Sequence, residues 1–346
     1  MKSDSPFYLN EPHKTKRFSD GFSKEEEKKG SMNMKEIHID HNDAGQRLDK
    51  FLAKTFPNLG KSAMYKAIRN KKIKVNRKRA AFDQKLVYGD TILLFLPPDL
   101  LETRERQIVK LPDPQVVYED NELLVLNKPA GLLSVKDAPG DQDTLNDRLL
   151  WWMSKTGRYD AKTELSFTPA ISHRLDRNTA GLVLAGKNAK SSRELAEAIR
   201  ERKIHKNYLA ITRKRPKEGR IVLYLKKEQT MAKISETPQE GYQEAIMNVQ
   251  VLEEKDGRVL STVDLETGRF HQIRASLAYL GTPLWQDRKY GDPDGNGRYA
   301  LQAWRIELEP LEDEKPTLDD PCAHLNEKTG SLIIELPESQ RLSLNR

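Results

Sequence analysis

The segment Ile171–Leu184 joins a short polar turn directly to a run that only a buried strand accommodates. Gly181-Leu-Val-Leu-Ala-Gly186 is small, apolar and β-branched at its centre, so it belongs inside a sheet. The turn before it carries His173, Arg174, Asp176 and Arg177. Phe167-Thr-Pro-Ala-Ile-Ser172 reads as a second extended piece, with Pro169 near its start. A carboxylate at such a turn, flanked by Arg174 and Arg177, is expected to be held ionised by the nearby positive charge. It also sits at a rim where a large anionic substrate can reach it. Asp176 is therefore a candidate nucleophile or base.

Other readings compete for the same residues. Asp176-x-Asn178-x-x-Gly181 looks like half of a calcium loop, but Lys187 stands where a bidentate Glu is needed. His173-Arg-Leu-Asp176 has the order of a kinase catalytic loop, yet no glycine-rich phosphate loop precedes it and no Asp-Phe-Gly follows. An ordinary turn held by Arg–Asp pairing fits these residues as well as a catalytic role does.

Two further segments bear on the choice. Lys206-Asn-Tyr-Leu-Ala-Ile-Thr212 alternates as a strand, with Tyr208 and Ala210 on one face. Leu265-Glu-Thr-Gly-Arg-Phe-His-Gln-Ile-Arg274 reads as a strand end, a glycine turn and a helix start, and that helix stops at Gly281. By default Tyr208 is a half-buried sheet aromatic and Arg274 a solvated helix charge. Together, in this order and spacing, the three segments resemble the signature motifs of the RluA-type pseudouridine synthases. The resemblance spans about residues 115–340.

That resemblance implies roles residue by residue. Asp176 matches the catalytic aspartate, and Tyr208 the tyrosine that stacks on the flipped base and handles a proton. Arg274 matches the basic partner of the aspartate, and Ile273 the apolar residue beside it. Arg174 matches the arginine that enters the RNA stack as the uridine leaves. The family acts without cofactor or metal. His173 and His271 are expected to be structural. Lys128-Pro-Ala-Gly-Leu-Leu-Ser134 is a further family-like element expected to line the cleft. The chain departs from the family pattern at Ala180, where serine is usual, at Gln286, where glycine is common, and at Gln302, where histidine is common.

The charge distribution divides the chain. Residues 35–98 hold fourteen Lys/Arg and six Asp/Glu, a net of +8. The whole chain is +7 and residues 1–34 are +1, which leaves −2 for residues 99–346. The basic character is local, as an electrostatic footprint for phosphates would be. Within this segment Leu48, Phe51, Leu52 and Phe56 share one helical face, and Ser62 is placed to cap a second helix, 63–70. The segment resembles the alpha-L RNA-binding module of many RluA-type enzymes. Arg47, Lys66, Arg69, Lys71, Lys72 and Lys74 are its candidate RNA-binding residues.

The expected organisation is a disordered tail over 1–34, an alpha-L type domain over 35–98, a linker over 99–114 and a catalytic domain over 115–340. The fold class is α+β: a large, mostly antiparallel mixed sheet with flanking helices, plus a small N-terminal α/β domain. Residues 309–330 are expected to form a loop. No stretch approaches the ~18 apolar residues of a membrane span, and one cysteine, Cys322, excludes an intrachain disulfide. The chain is expected to be a cytoplasmic monomer that modifies RNA, ribosomal RNA of the large subunit first and transfer RNA second. From a different class, a non-catalytic RNA-binding or ribosome-assembly protein shares the fold, but has no need of Asp176, Tyr208 and Arg274 together.

Overall fold

A computed structural model describes residues 34–103, 108–292, 295–309 and 320–344. The expected tail falls outside the described residues except for Met34, as do 310–319 of the expected 309–330 loop.

The basic segment forms its own four-stranded sheet, ordered β1-β4-β2-β3. Its elements are β1 (Met34–His38), α1 (Leu48–Thr55), α2 (Lys61–Arg69), β2 (Ile73–Val75), β3 (Lys78–Arg79) and β4 (Thr91–Phe95). The stripe read from the sequence, Leu48, Phe51, Leu52 and Phe56, is fully buried against this sheet. Burial of each such side chain contributes roughly 1.5–3 kcal/mol. Ser62 does not cap α2: the helix begins two residues earlier than expected, at Lys61 after Gly60, with no side-chain cap. The core also reaches past the expected boundary, because a short 3-10 turn over Pro98–Leu101 buries Leu101 within it. The loop after β1 anchors the module to the rest of the chain. Gln46 Nε2 donates to Ser166 Oγ at 2.6 Å, and Asn42 Oδ1 accepts from the Ala189 backbone at 2.9 Å.

The remaining strands form one eleven-stranded sheet. In chain order its elements are β5 (Gln115–Glu119), β6 (Leu123–Lys128), α3 (Leu145–Lys155), β7 (Ala180–Gly186), α4 (Ala189–Arg200), β8 (Ile204–Thr212), β9 (Gly219–Glu228), β10 (Met231–Ser235), β11 (Gln243–Lys255), β12 (Arg258–Leu265), α5 (Gln272–Tyr279), β13 (Leu301–Leu308), β14 (Ala323–Leu325) and β15 (Leu332–Glu335). The order is β10-β9-β11-β12-β8-β13-β7-β6-β5, with β15 on β13 and β14 on β15. Among the described residues every pairing is antiparallel except β7 with β13. The expected mixed, mostly antiparallel sheet is what forms.

The β7–β13 junction explains one glycine. Gly181 has φ +115°, and a Cβ there would lie 2.0 Å from the Ala303 carbonyl oxygen. Only glycine permits that approach. Ala303 in turn faces Tyr208 across the β13–β8 pair. The strand that follows the Asp176 turn, β7, and the strand that carries Tyr208, β8, thus flank β13 at the middle of the sheet. The piece 167–172 is not a strand of its own. It contributes one isolated bridge, Ile171 to Ala185.

Candidate active site

Asp176 lies in the turn just before β7, Tyr208 in the middle of β8, and Arg274 in the first turn of α5. They line one cavity of about 1000 Å³, together with Arg174, Lys206, Phe270, His271 and Ile273. The alternation of β8 turns Tyr208 onto this face. Ile273, buried, packs in the same hydrophobic cluster as Tyr208. The positions that the resemblance nominated for chemistry therefore converge.

Arg274 is buried, and its main partner was not anticipated. Its Nε and Nη2 donate to the two carboxylate oxygens of Asp287 at 2.8 and 3.0 Å. Asp287 is fully buried. Nη1 stands 3.6 Å from Asp176 Oδ2, an ion pair longer than a hydrogen bond. The guanidinium lies over the Tyr299 ring at 4.0 Å and within 5.0 Å of Tyr290. Burial alone would lower its pKa, but the Asp287 bonds, then the charges of Tyr299, Asp287 and Asp176, raise it. The cation is thus fixed in place before substrate arrives.

Asp176 differs from its sequence expectation in one respect. Burial raises its pKa above 3.8, despite the opposing pull of Arg274 first and then Arg174 and Lys128. Flanking arginines do not win because Arg174 and Arg177 are exposed, where water screens their charge. Arg174 pairs instead with Asp137 at 3.3 Å, and both side chains are more than half exposed. Tyr208 is buried, and burial, then the charge of Asp176, pushes its phenol well up. Burial more than that charge keeps it protonated.

Burial disfavours the charged form of both histidines and pushes each down to about 3. His173 Nε2 accepts from the Leu184 backbone at 3.2 Å. His271 Nδ1 lies 2.8 Å from the Tyr290 hydroxyl, and its Nε2 stands 3.6 Å from Asp176. His271 precedes α5 at φ +55°, which aims Arg274 inward one turn later.

Lys128, read only as part of a cleft-lining element, is a tie. It is fully buried, and its Nζ donates to the carbonyls of Pro129, Leu132 and Arg177 at 3.1, 2.7 and 2.9 Å. The last of these fixes the residue next to Asp176. Burial pushes Lys128 down to about 7, against the pull of Asp176.

The sequence reading also missed Asp287, Tyr290 and Tyr299. The signal for Asp287 and Tyr290 lay in Trp285-Gln-Asp-Arg-Lys-Tyr-Gly291, which stood out only for Gln286. That glutamine takes φ +65°, the conformation that makes glycine common there. Gln302 accepts from the Leu342 backbone at 2.6 Å and donates to the Gln340 carbonyl at 2.9 Å, so it holds the C-terminal segment.

The nominated basic residues of the N-terminal module fall into two groups. Lys66, Arg69, Lys71 and Lys72 are exposed on α2 and the turn after it. Arg47 is bound by Asp49 at 2.9 and 3.1 Å, and Lys74 lies over the Phe95 ring at 5.5 Å.

A turn-borne aspartate, a buried strand tyrosine and an anchored arginine thus line one cavity at the middle of the sheet. The family model for RNA pseudouridylate synthase matches residues 122–279. The chain is 31% identical to ribosomal large subunit pseudouridine synthase C of Vibrio vulnificus (strain CMCP6), over 89% of this chain and 96% of that one. It is 32% identical to the protein of the same name from Escherichia coli (strain K12), over 75% and 80%. Human RNA pseudouridylate synthase domain containing 4 superposes with a TM-score of 0.49 at 21% identity, covering 65% of this chain and 89% of that one. The chain belongs to the RluA family of RNA pseudouridine synthases and is an isomerase.

Proposed function

We propose that this chain converts uridine to pseudouridine in large-subunit ribosomal RNA, with Asp176 as the group that attacks or deprotonates the target nucleoside. The supporting observation is the convergence of Asp176, Tyr208 and Arg274 on one cavity, in a chain whose relatives carrying a ribosomal name align over nearly their full length. The reaction breaks the bond from ribose C1′ to N1 and forms one from C1′ to C5; C5 loses a proton and N1 gains one, so the product is an isomer. Whichever atom Asp176 addresses, it acts as the anion. Arg274, fixed by Asp287, keeps a positive charge beside that anion without spending its hydrogen bonds on it. Ile273 packs beside it as apolar wall.

Tyr208 gives the uracil a flat surface and takes part in the proton transfer. Its protonation is coupled to Asp176. Once Asp176 is consumed, by a covalent bond or by a proton, its charge no longer opposes phenol ionisation. Burial, the larger cause, remains, so loss of that charge eases ionisation of the phenol only in part. Arg174, exposed at the rim, fills the gap left by the extruded base. The exposed lysines and arginine on α2 and the turn after it supply phosphate contacts. A cytoplasmic site of action follows from this substrate. Among the described residues no helix is long and apolar enough to cross a membrane.

Pseudouridine maps from cells with and without the gene test the substrate. Loss of specific pseudouridines in large-subunit ribosomal RNA is the expected result. Loss confined to transfer RNA would move the assignment to that substrate, and unchanged maps would overturn it.

A further inference from the structure

Lys206 stands two residues before Tyr208 in β8, so both side chains leave the strand on the same face. It lines the cavity with Asp176, Tyr208 and Arg274. Its ammonium rests against the turn that leads into α5, about where a Cβ on Gly268 would come within 4.0 Å. Its cross-strand neighbours are Leu265 on β12 and Ile306 on β13, both apolar. Asp264 neighbours Leu265 but points to the opposite face, in register with Asn207. Glu266, the other acidic residue lining the cavity besides Asp176, is held by Arg220 at 2.9 and 3.2 Å. His173 is neutral and brings no charge.

Lys206 therefore lacks what the other buried cations of the site possess. Arg274 has Asp287, and Lys128 has three carbonyl oxygens. Among the described residues no salt bridge or side-chain hydrogen bond is formed by the Lys206 ammonium. Burial lowers its pKa with no nearby carboxylate to restore it. A half-buried ammonium without a partner is unfavourable unless an anion arrives to meet it. A nucleotide extruded into this cavity brings one, because its phosphodiesters enter with the base.

We propose that Lys206 grips a phosphodiester flanking the target uridine and so positions the extruded nucleotide over Asp176 and Tyr208. The inference rests on the reading of this cavity as the uridine site. It makes Lys206 a substrate-positioning residue, and it ties base capture to backbone capture on one strand: Lys206 holds the chain while Tyr208 holds the ring.

The test uses the full chain and single-turnover conversion of a target RNA fragment. Lys206→Met keeps the apolar stem and removes the charge. The half-saturating RNA concentration should rise about 10- to 100-fold, the span of a lost hydrogen bond to a charged group, with a smaller change in the maximal rate. Thermal stability should be unchanged or higher, since an unpaired charge is removed. Lys206→Arg should recover most of the affinity. Methylphosphonates placed one at a time around the target uridine identify the contact. At one position the wild type should lose about what Lys206→Met loses, and Lys206→Met should lose nothing more there. Equal losses by both proteins at every position, or unaltered half-saturation in Lys206→Met, would overturn the proposal. If Lys206→Met does not fold, Lys206→Gln takes its place in the same comparison. An active Asp176→Asn enzyme would instead refute the underlying reading of the cavity, so the two failures are distinguishable.

Discussion

Arg274 gives its two closest hydrogen bonds to Asp287, at 2.8 and 3.0 Å, and approaches Asp176 only to 3.6 Å. Structure and chemistry are thereby separable. Asp287→Asn leaves a buried guanidinium short of its partner and should destabilise the protein by about 3–5 kcal/mol. The double variant Arg274→Met/Asp287→Leu removes both charges and should recover most of that stability. It should not recover activity, which should stay at least about 100-fold below wild type. Denaturant melts with single-turnover rates check both; an active double variant would reduce Arg274 to a structural role.

The acid side of the pH profile reports on Asp176. Burial raises its pKa above 3.8 while Arg274 pulls it down. Activity that needs the anion should therefore fail at a higher pH than an unperturbed aspartate would impose. Without the Arg274 charge the carboxyl is raised further, so any residual activity of the double variant should fail at higher pH still. Stability follows the same sign. A carboxyl whose folded pKa is raised adds stability only in acid and loses it as pH rises through that pKa. Asp176→Asn should hence be more stable than wild type at neutral pH, with the gap closing in acid. Melts across pH test this, and a less stable Asn variant at neutral pH would contradict it.

Arg174 is poised to leave its partner. Its contact with Asp137 is exposed on both sides, a kind of pair worth at most about 1 kcal/mol. Arg174→Lys retains the charge but loses the plane that stacks on bases. It should lose most activity on a structured RNA and much less on one whose target uridine is unpaired, since extrusion then costs less. Equal losses on the two substrates would rule out a role in flipping.

The fold and the site were legible to different depths. Strands such as β7, β8 and β12 declare themselves because each carries a run of buried, mostly apolar positions. Edge and short strands, β10 and β14 among them, carry too few buried positions to stand out. Asp176, Tyr208 and Arg274 were found because each lies within a long motif. Asp287 was not, because its meaning arises only when the segment after α5 folds back beneath Arg274. The direction of the Asp176 pKa shift was misjudged for a related reason. Sequence shows that arginines are adjacent, but not that they are solvated while the carboxyl is buried.

The basic module should act through salt-dependent affinity. Replacing Lys66, Arg69, Lys71 and Lys72 together by Gln should weaken RNA binding and lower the slope of log affinity against log salt by roughly 3–4. Arg47→Gln and Lys74→Gln should each change the slope by less, since Asp49 and Phe95 already engage those side chains. Binding titrations at several salt concentrations decide this. An unchanged slope in the fourfold variant would place the RNA elsewhere.

The proposed function makes Asp176 the group that performs the isomerisation. Its most direct test is single-turnover conversion of large-subunit ribosomal RNA by the wild type and by Asp176→Asn, with pseudouridine counted in the product. The amide preserves the shape of the side chain but cannot act as nucleophile or base. The wild type should convert its target uridine, and Asp176→Asn should form no product while binding RNA within about threefold of wild type. Pseudouridine formation by Asp176→Asn at a rate near that of the wild type would contradict the account.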